Sequence, residues 1–80
     1  MRKIVEGVLI FDRQSERYQV NYGIEKYSDG LHCGECMTVL DEKRNWINCR
    51  IEYCHKNKRW YLVGMYENFS LDGAKVRYEM

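Results

Sequence analysis

Proline is absent from the 80-residue chain, so nothing bars any segment from the middle of a β-ladder. Positive charge is not in excess either: 13 basic residues face 12 acidic ones, for a net charge of +1. A nonspecific nucleic-acid binder draws much of its affinity from neutralised phosphates and carries a clear cationic surplus, which this composition lacks. Long apolar runs are missing as well. Charged residues make up 31% of the chain, and they leave no stretch of about 20 apolar residues such as a spanning helix needs. The basic start, Met1-Arg2-Lys3, precedes apolar residues in the manner of a secretory signal, but Glu6 interrupts them, Asp12 ends them, and no small-residue cleavage site follows. A first strand is the expectation there, with a cytoplasmic protein and reduced thiols at the four cysteines. Heptads, internal repeats, linkers and low-complexity tracts are all absent.

Aromatic residues are plentiful: seven tyrosines, two tryptophans and two phenylalanines, types that favour strands. Eighty residues allow one domain, which hides only about 60% of its unfolded surface, so each buried ring counts. Ile4 to Phe11 and the alternating Arg17–Tyr22 segment, with Tyr18, Val20 and Tyr22 on one face, predict an N-terminal hairpin across the polar turn from Asp12 to Glu16. Gly7 offers a bend. Gly23 to Gly30 carries turn chemistry and is expected to be irregular. After a sharp turn at Gly34, a strand to Leu40 points Cys36, Thr38 and Leu40 one way and Met37 and Val39 the other. Across a charged turn, Ile47, Cys49, Ile51 and Tyr53 alternate with Asn48, Arg50 and Glu52, the period-two order of a sheet with one wet face. Trp60 to Met65 has no polar face and reads as a central strand covered on both sides. Leu71-Asp72-Gly73 suits one turn of tight helix before a closing strand from Ala74 to Tyr78. The fold class expected is all-β: a small SH3-like antiparallel β-barrel with an added N-terminal β-hairpin, about six strands and no long helix.

Four phrases stand in a distinctive order: Leu31, Cys33, Gly34 and Glu35; Trp46 with Arg50-Ile51-Glu52; Trp60-Tyr61-Leu62-Val63-Gly64; and Leu71-Asp72-Gly73 with Lys75-Val76-Arg77. Over Leu31 to Tyr78 this pattern resembles a family of small bacterial proteins of unknown function. The resemblance implies an SH3-like barrel, a bacterial cytosol and residence near mobile genetic elements, and it implies no activity. Its motifs look like fold determinants. Cys36, Cys49 and Cys54 lie outside the pattern.

The cysteines raise metal chemistry. Cys33 and Cys36 have C-x-x-C spacing, and Cys49 and Cys54 could complete a zinc site of four thiolates at about 2.3 Å. On a regular strand, however, Cys49 and Cys54 point to opposite faces, and Cys49 faces the core. No metal and no cofactor are therefore expected, with a zinc-stabilised mini-domain as the third-ranked alternative. A redox pair is disfavoured, because such pairs sit at a helix N-terminus and no helix is predicted. Catalysis is not expected: the chain has no phosphate-binding glycine loop, no H-E-x-x-H and no paired carboxylates, while His32 and Cys33, as strand neighbours, point apart. The aromatic residues point elsewhere. Most of the rings are expected to close the ends of a small core. If one face binds, the expected contacts are Trp46, Arg50, Tyr66 and Phe69, exposed aromatics beside arginine being a recipe for recognition. The leading expectation is a non-catalytic protein-binding module, a monomer or an edge-strand dimer. The alternative is a nucleic-acid-binding accessory factor that uses the basic turns at Lys43-Arg44 and Lys56–Arg59 as phosphate contacts.

Overall fold

Alternation along each strand decides which side chains meet. In the computed structural model, which describes residues 3–80, β1 (Ile4–Asp12) buries Val5 and Leu9, and β2 (Arg17–Gly23) buries Val20. After the short β3 (Lys26–Tyr27), β4 (Cys36–Leu40) buries Met37 and Val39, and β5 (Trp46–Cys54) buries Cys49 and Ile51. β6 (Arg59–Val63) contributes Leu62, and β7 (Lys75–Glu79) contributes Val76. These residues join Leu31, Leu71 and Ala74 in a single hydrophobic cluster. Met1 and Arg2, on which part of the N-terminal signal reading rests, lie outside the described residues.

All seven strands are antiparallel and form one sheet in the order β3-β2-β1-β7-β4-β5-β6, with no helix among the described residues. The count is seven rather than six. The additional strand is β3, which pairs with β2 inside the segment expected to be irregular and is continued by Ser28, whose N–H donates to the Val20 carbonyl at 2.9 Å. The ladder is also open: β3 and β6 end it and do not pair with each other. β6 is therefore an edge strand and not the covered central strand expected. The last strand, β7, inserts between β1 and β4 and leaves β6 paired with β5 alone. Its second apolar face is open, with Tyr61 and Val63 exposed. Leu71-Asp72-Gly73 forms a β-turn and no helix. The Ala74 N–H closes onto the Leu71 carbonyl at 3.0 Å, and Gly73 and Ala74 exchange backbone bonds with Leu9.

A flat sheet could not gather these residues into one core, so this one curls. The molecule is 21 Å through its thinnest axis, about two layers at the usual 10 Å sheet spacing. Gly7 marks the corner. β1 pairs with β7 over Ile4–Val8 and with β2 over Val8–Asp12, changing partners there. A Cβ on Gly7 would lie 2.1 Å from the Asn21 carbonyl oxygen, so only glycine lets the two backbones approach this closely. Trp60 closes the curl, its indole N–H donating to the Glu16 carbonyl at 3.0 Å and tying β6 to the β1–β2 turn.

The first sequence phrase is structural throughout. Leu31 is fully buried, its N–H bonds the Tyr18 carbonyl, and its own carbonyl accepts from Arg17 Nη1 at 3.0 Å. The Gly34 N–H reaches the Ile51 carbonyl, and the Ile51 N–H returns to the Glu35 carbonyl. The Glu35 carboxylate accepts the His32 N–H at 2.6 Å and also the Tyr78 hydroxyl, which locks the turn to β7.

Candidate functional site: an aromatic groove beside an edge strand

The hairpin that presents β6 is tight. Residues 55–58 link β5 to β6, with Lys58 in the left-handed region at φ 53°. Tyr53 stands opposite Trp60 in the register, and their rings meet edge to face at 5.1 Å, with His55 edge-on to Tyr53 at 5.0 Å. The Arg17 guanidinium lies 5.7 Å from the Trp60 ring centre, a cation–π contact that fixes the indole from the other end of the sheet. β6 ends at Gly64, whose φ of +107° turns the chain away. A Cβ there would meet the Asn48 carbonyl oxygen at 2.6 Å.

The chain then returns beneath the sheet towards Leu71, leaving a groove of about 400 Å³ between β6 and the returning segment. Trp60 and Leu62 of β6 line it together with Met65, Tyr66, Phe69 and Leu71 of the returning segment. Tyr66 and Phe69 touch edge to face at 5.4 Å, and the Tyr66 hydroxyl donates to Glu42 in the β4–β5 turn. A second depression shares Arg59, Trp60 and Leu71 with the first and extends to Phe11, Tyr18 and Lys58. Phe11 and Tyr18 meet at 5.2 Å, and the Tyr18 hydroxyl donates to Asp72 at 2.8 Å. Burial, then the Asp72 carboxylate, push the Tyr18 phenol well above its ordinary range. The result is a band of rings around Trp60 with charged and hydroxyl groups among them, as in sites that orient a ligand as well as hold it.

The four residues expected to bind fall into two places. Tyr66 and Phe69 are in contact on the groove. Trp46 and Arg50 lie on the outer face of β5 with Asn48, the face opposite the core. There the Arg77 guanidinium stacks on Trp46 at 3.9 Å, and Arg50 turns to Glu52 at 2.7 Å. Arg77 also bonds Glu6 at 3.0 Å, with Lys75 3.6 Å from the same carboxylate. The Arg77 bond, reinforced by Lys75, draws the Glu6 carboxyl below its ordinary value. The outer face is thus a matched network. Sequence reasoning missed Trp60, Tyr61 and Met65, because an apolar run without a polar face reads as buried on both sides, and it marked Arg59 only as a phosphate contact. The detectable signal was the basic turn Lys56–Arg59 placed directly before it, a turn that suits an exposed edge better than an enclosed strand.

The four cysteines occupy four settings. Cys33 and Cys36 are exposed, Cys36 on the outer face opposite Arg50, while Cys49 faces the core and Cys54 lines the groove. Burial raises the Cys49 thiol above its usual value. Among the described residues, no three histidine, cysteine or acidic side chains are grouped to share a metal ion. Among the described residues no helix is long and apolar enough to cross a membrane.

These features define a class: a small all-β domain made of one curled antiparallel sheet, with an aromatic groove along a free edge. Residues 7–78 match the family described as Domain of unknown function (DUF5348), and the chain belongs to that family. A protein from Ruminococcus gnavus, solved by crystallography as a structural-genomics target, is 42% identical to it. That match covers 90% of this chain and 97% of the other, with a TM-score of 0.78. Among curated proteins nothing matches.

Proposed function

We propose that this chain is a non-enzymatic binding module, SH3-like in architecture, which takes an extended polypeptide segment along the free edge of β6. The observation that carries this reading is the juxtaposition of an unpaired strand edge with an aromatic groove. Among the described residues, β6 has no backbone hydrogen bonds except to β5, and alternate N–H and C=O groups therefore point outward. An added strand satisfies those groups, and its side chains on one face fall into the groove lined by Trp60, Met65, Tyr66 and Phe69. The non-enzymatic part rests on the groove's chemistry. Cys54 is the nucleophilic side chain lining it, and neither a histidine nor a carboxylate bonds its thiol among the described residues. A bacterial cytosolic setting belongs to the same reading, and the Ruminococcus gnavus relative supports its bacterial half.

The test is selection of a random-peptide phage library on the immobilised protein, followed by amide hydrogen exchange with the chosen peptides. Slowed exchange at alternate β6 amides is the expected result. Selection that returns no peptide, or protection confined to the outer face around Trp46, would overturn the proposal.

A further inference from the structure

We infer that the segment which takes the free edge of β6 is β6 of a second copy of this chain, paired antiparallel about a two-fold axis at Tyr61. This rests on the edge-binding reading above and names the partner. The two ends of the sheet are built differently. β3 is two residues long, and its pairing with β2 shifts register between Asn21 and Gly23, so that edge is short and irregular. β6 is five residues long and pairs with β5 at every position without a shift. Trp60 and Leu62 pack towards the core, while Tyr61 and Val63 stand exposed on the outer face. The strand carries no bulge, no proline and no inward-pointing charge, the features that keep an edge from pairing. Its one charged residue, Arg59, is at its start, and the other four are aromatic or aliphatic strand formers.

A second copy fits this edge in direction, side chains and charge. Two identical strands that extend one sheet across a two-fold axis run antiparallel, so symmetry sets the direction. With the axis at Tyr61, the middle residue, all five positions of β6 are paired. Tyr61 then meets its own counterpart, Trp60 the partner's Leu62, and Arg59 the partner's Val63. Aromatic and aliphatic cross-strand pairs of this kind are favourable. The basic turns fall at opposite ends of the pair. Four residues of offset put the two Arg59 backbones about 14 Å apart, beyond the roughly 8 Å over which exposed charges act at physiological salt. Glu16, Glu67 and Asp72 line the depressions together with Lys58 and Arg59, and this mixture of signs lets two identical surfaces meet without a large excess of either. Size sets the strength. Five residues span about 17 Å on a body 21 Å thick, so the edge offers roughly 350 Å² per copy, against about 800 Å² in a standard interface. The dimer is therefore weak and reversible, and dilution frees the edge for other segments.

The inference is tested on the whole chain by analytical ultracentrifugation from about 10 μM to about 1 mM, where a dissociation constant on the order of 100 μM is expected. Alternate β6 amides should exchange more slowly at the high concentration than at the low one. A mixture of isotope-labelled and unlabelled protein should show an intermolecular NMR contact between Trp60 and the partner's Leu62. Tyr61→Lys sets two ammonium groups against each other on the axis, at an exposed position, and should weaken the dimer about tenfold. A chain that stays monomeric throughout, while phage-selected peptides still protect β6, would overturn the second-copy inference and leave the edge-binding reading standing. Undiminished dimerisation of Tyr61→Lys, or protection away from β6, would overturn it by placing the interface elsewhere. If neither self-association nor any peptide protects β6, both readings fall.

Discussion

On the wall made by β1, β7 and β4, Glu6 sits between Arg77 and Lys75, and Arg77 covers Trp46. At the β6 edge, residues of the same types are arranged differently: among the described residues Lys56, Lys58 and Arg59 form no ion pair, although Glu16, Glu67 and Asp72 line the same depressions, and Tyr61 and Tyr66 expose 40% and 50% of their surface. The wall has a neighbour on each side of every strand, so its charges are answered across the ladder. The edge lacks one neighbour, and its rings are less covered. An aromatic beside an arginine therefore means opposite things in the two regions. Around Trp46 it is internal bracing, and around Trp60 it borders an open site.

The comparison can be broken or sharpened by experiment. The largest effect is expected at the corner of the wall. Gly7→Ala places a methyl against the Asn21 backbone and should cost about 3 kcal/mol or more, read from urea unfolding. A loss below that, with the fold intact, would show that β1 and β2 separate there easily.

A smaller effect concerns Tyr78, which ties β7 to Glu35. Burial, with the Glu35 carboxylate second, holds its phenol pushed up to about 12, against about 10 in an unfolded chain. Its folded value is the raised one, so the stability it contributes is complete below about pH 10 and is lost as pH rises towards 12. Because the ring is half-buried and solvent screens it, the loss should be about 1 kcal/mol. Tyr78→Phe should flatten that part of the alkaline stability curve. Tyr18, also shifted upward, would supply what slope remains.

Acid should act on the wall through Glu6. Glu6 has a folded pKa lowered by Arg77, so its contribution is present above the ordinary carboxylate value and disappears as pH falls through the folded one. Arg77→Gln should remove that acid-sensitive step and change the fluorescence of Trp46. An unchanged acid profile would mean that Lys75 alone holds Glu6. The smallest effect is expected at Lys58. Lys58→Gly relieves a left-handed backbone and should raise stability by about 0.5 kcal/mol, less than the strain itself because glycine also loosens the unfolded chain.

Much of the fold was legible because period-two order is a local property. Met37 and Val39 face inward and Thr38 outward as their alternation predicts, and Cys49 and Ile51 do the same on β5. The N-terminal hairpin also stands where its polar turn places it. Less of the site was legible. Tyr66 and Phe69 were marked from their place in a loop, and the structure brings them together. Trp46 was marked with Arg50, yet the arginine that reaches it is Arg77, from a strand 31 positions further along the chain. Pairing across β4 is set by strand order, which leaves no trace in the spacing of either residue.

Composition and alternation alone determined that this chain is all-β, which side chains enter its core, and where its turns fall. Those outcomes depend on the preferences of neighbouring residues and on burial of one strand face. The tertiary structure alone decided that β7 inserts between β1 and β4, that β6 is left at the edge, and that Trp60 borders a groove instead of lying inside a barrel. Those outcomes come from pairing between strands distant in sequence, where the identity of the neighbour decides whether an apolar strand is enclosed or open.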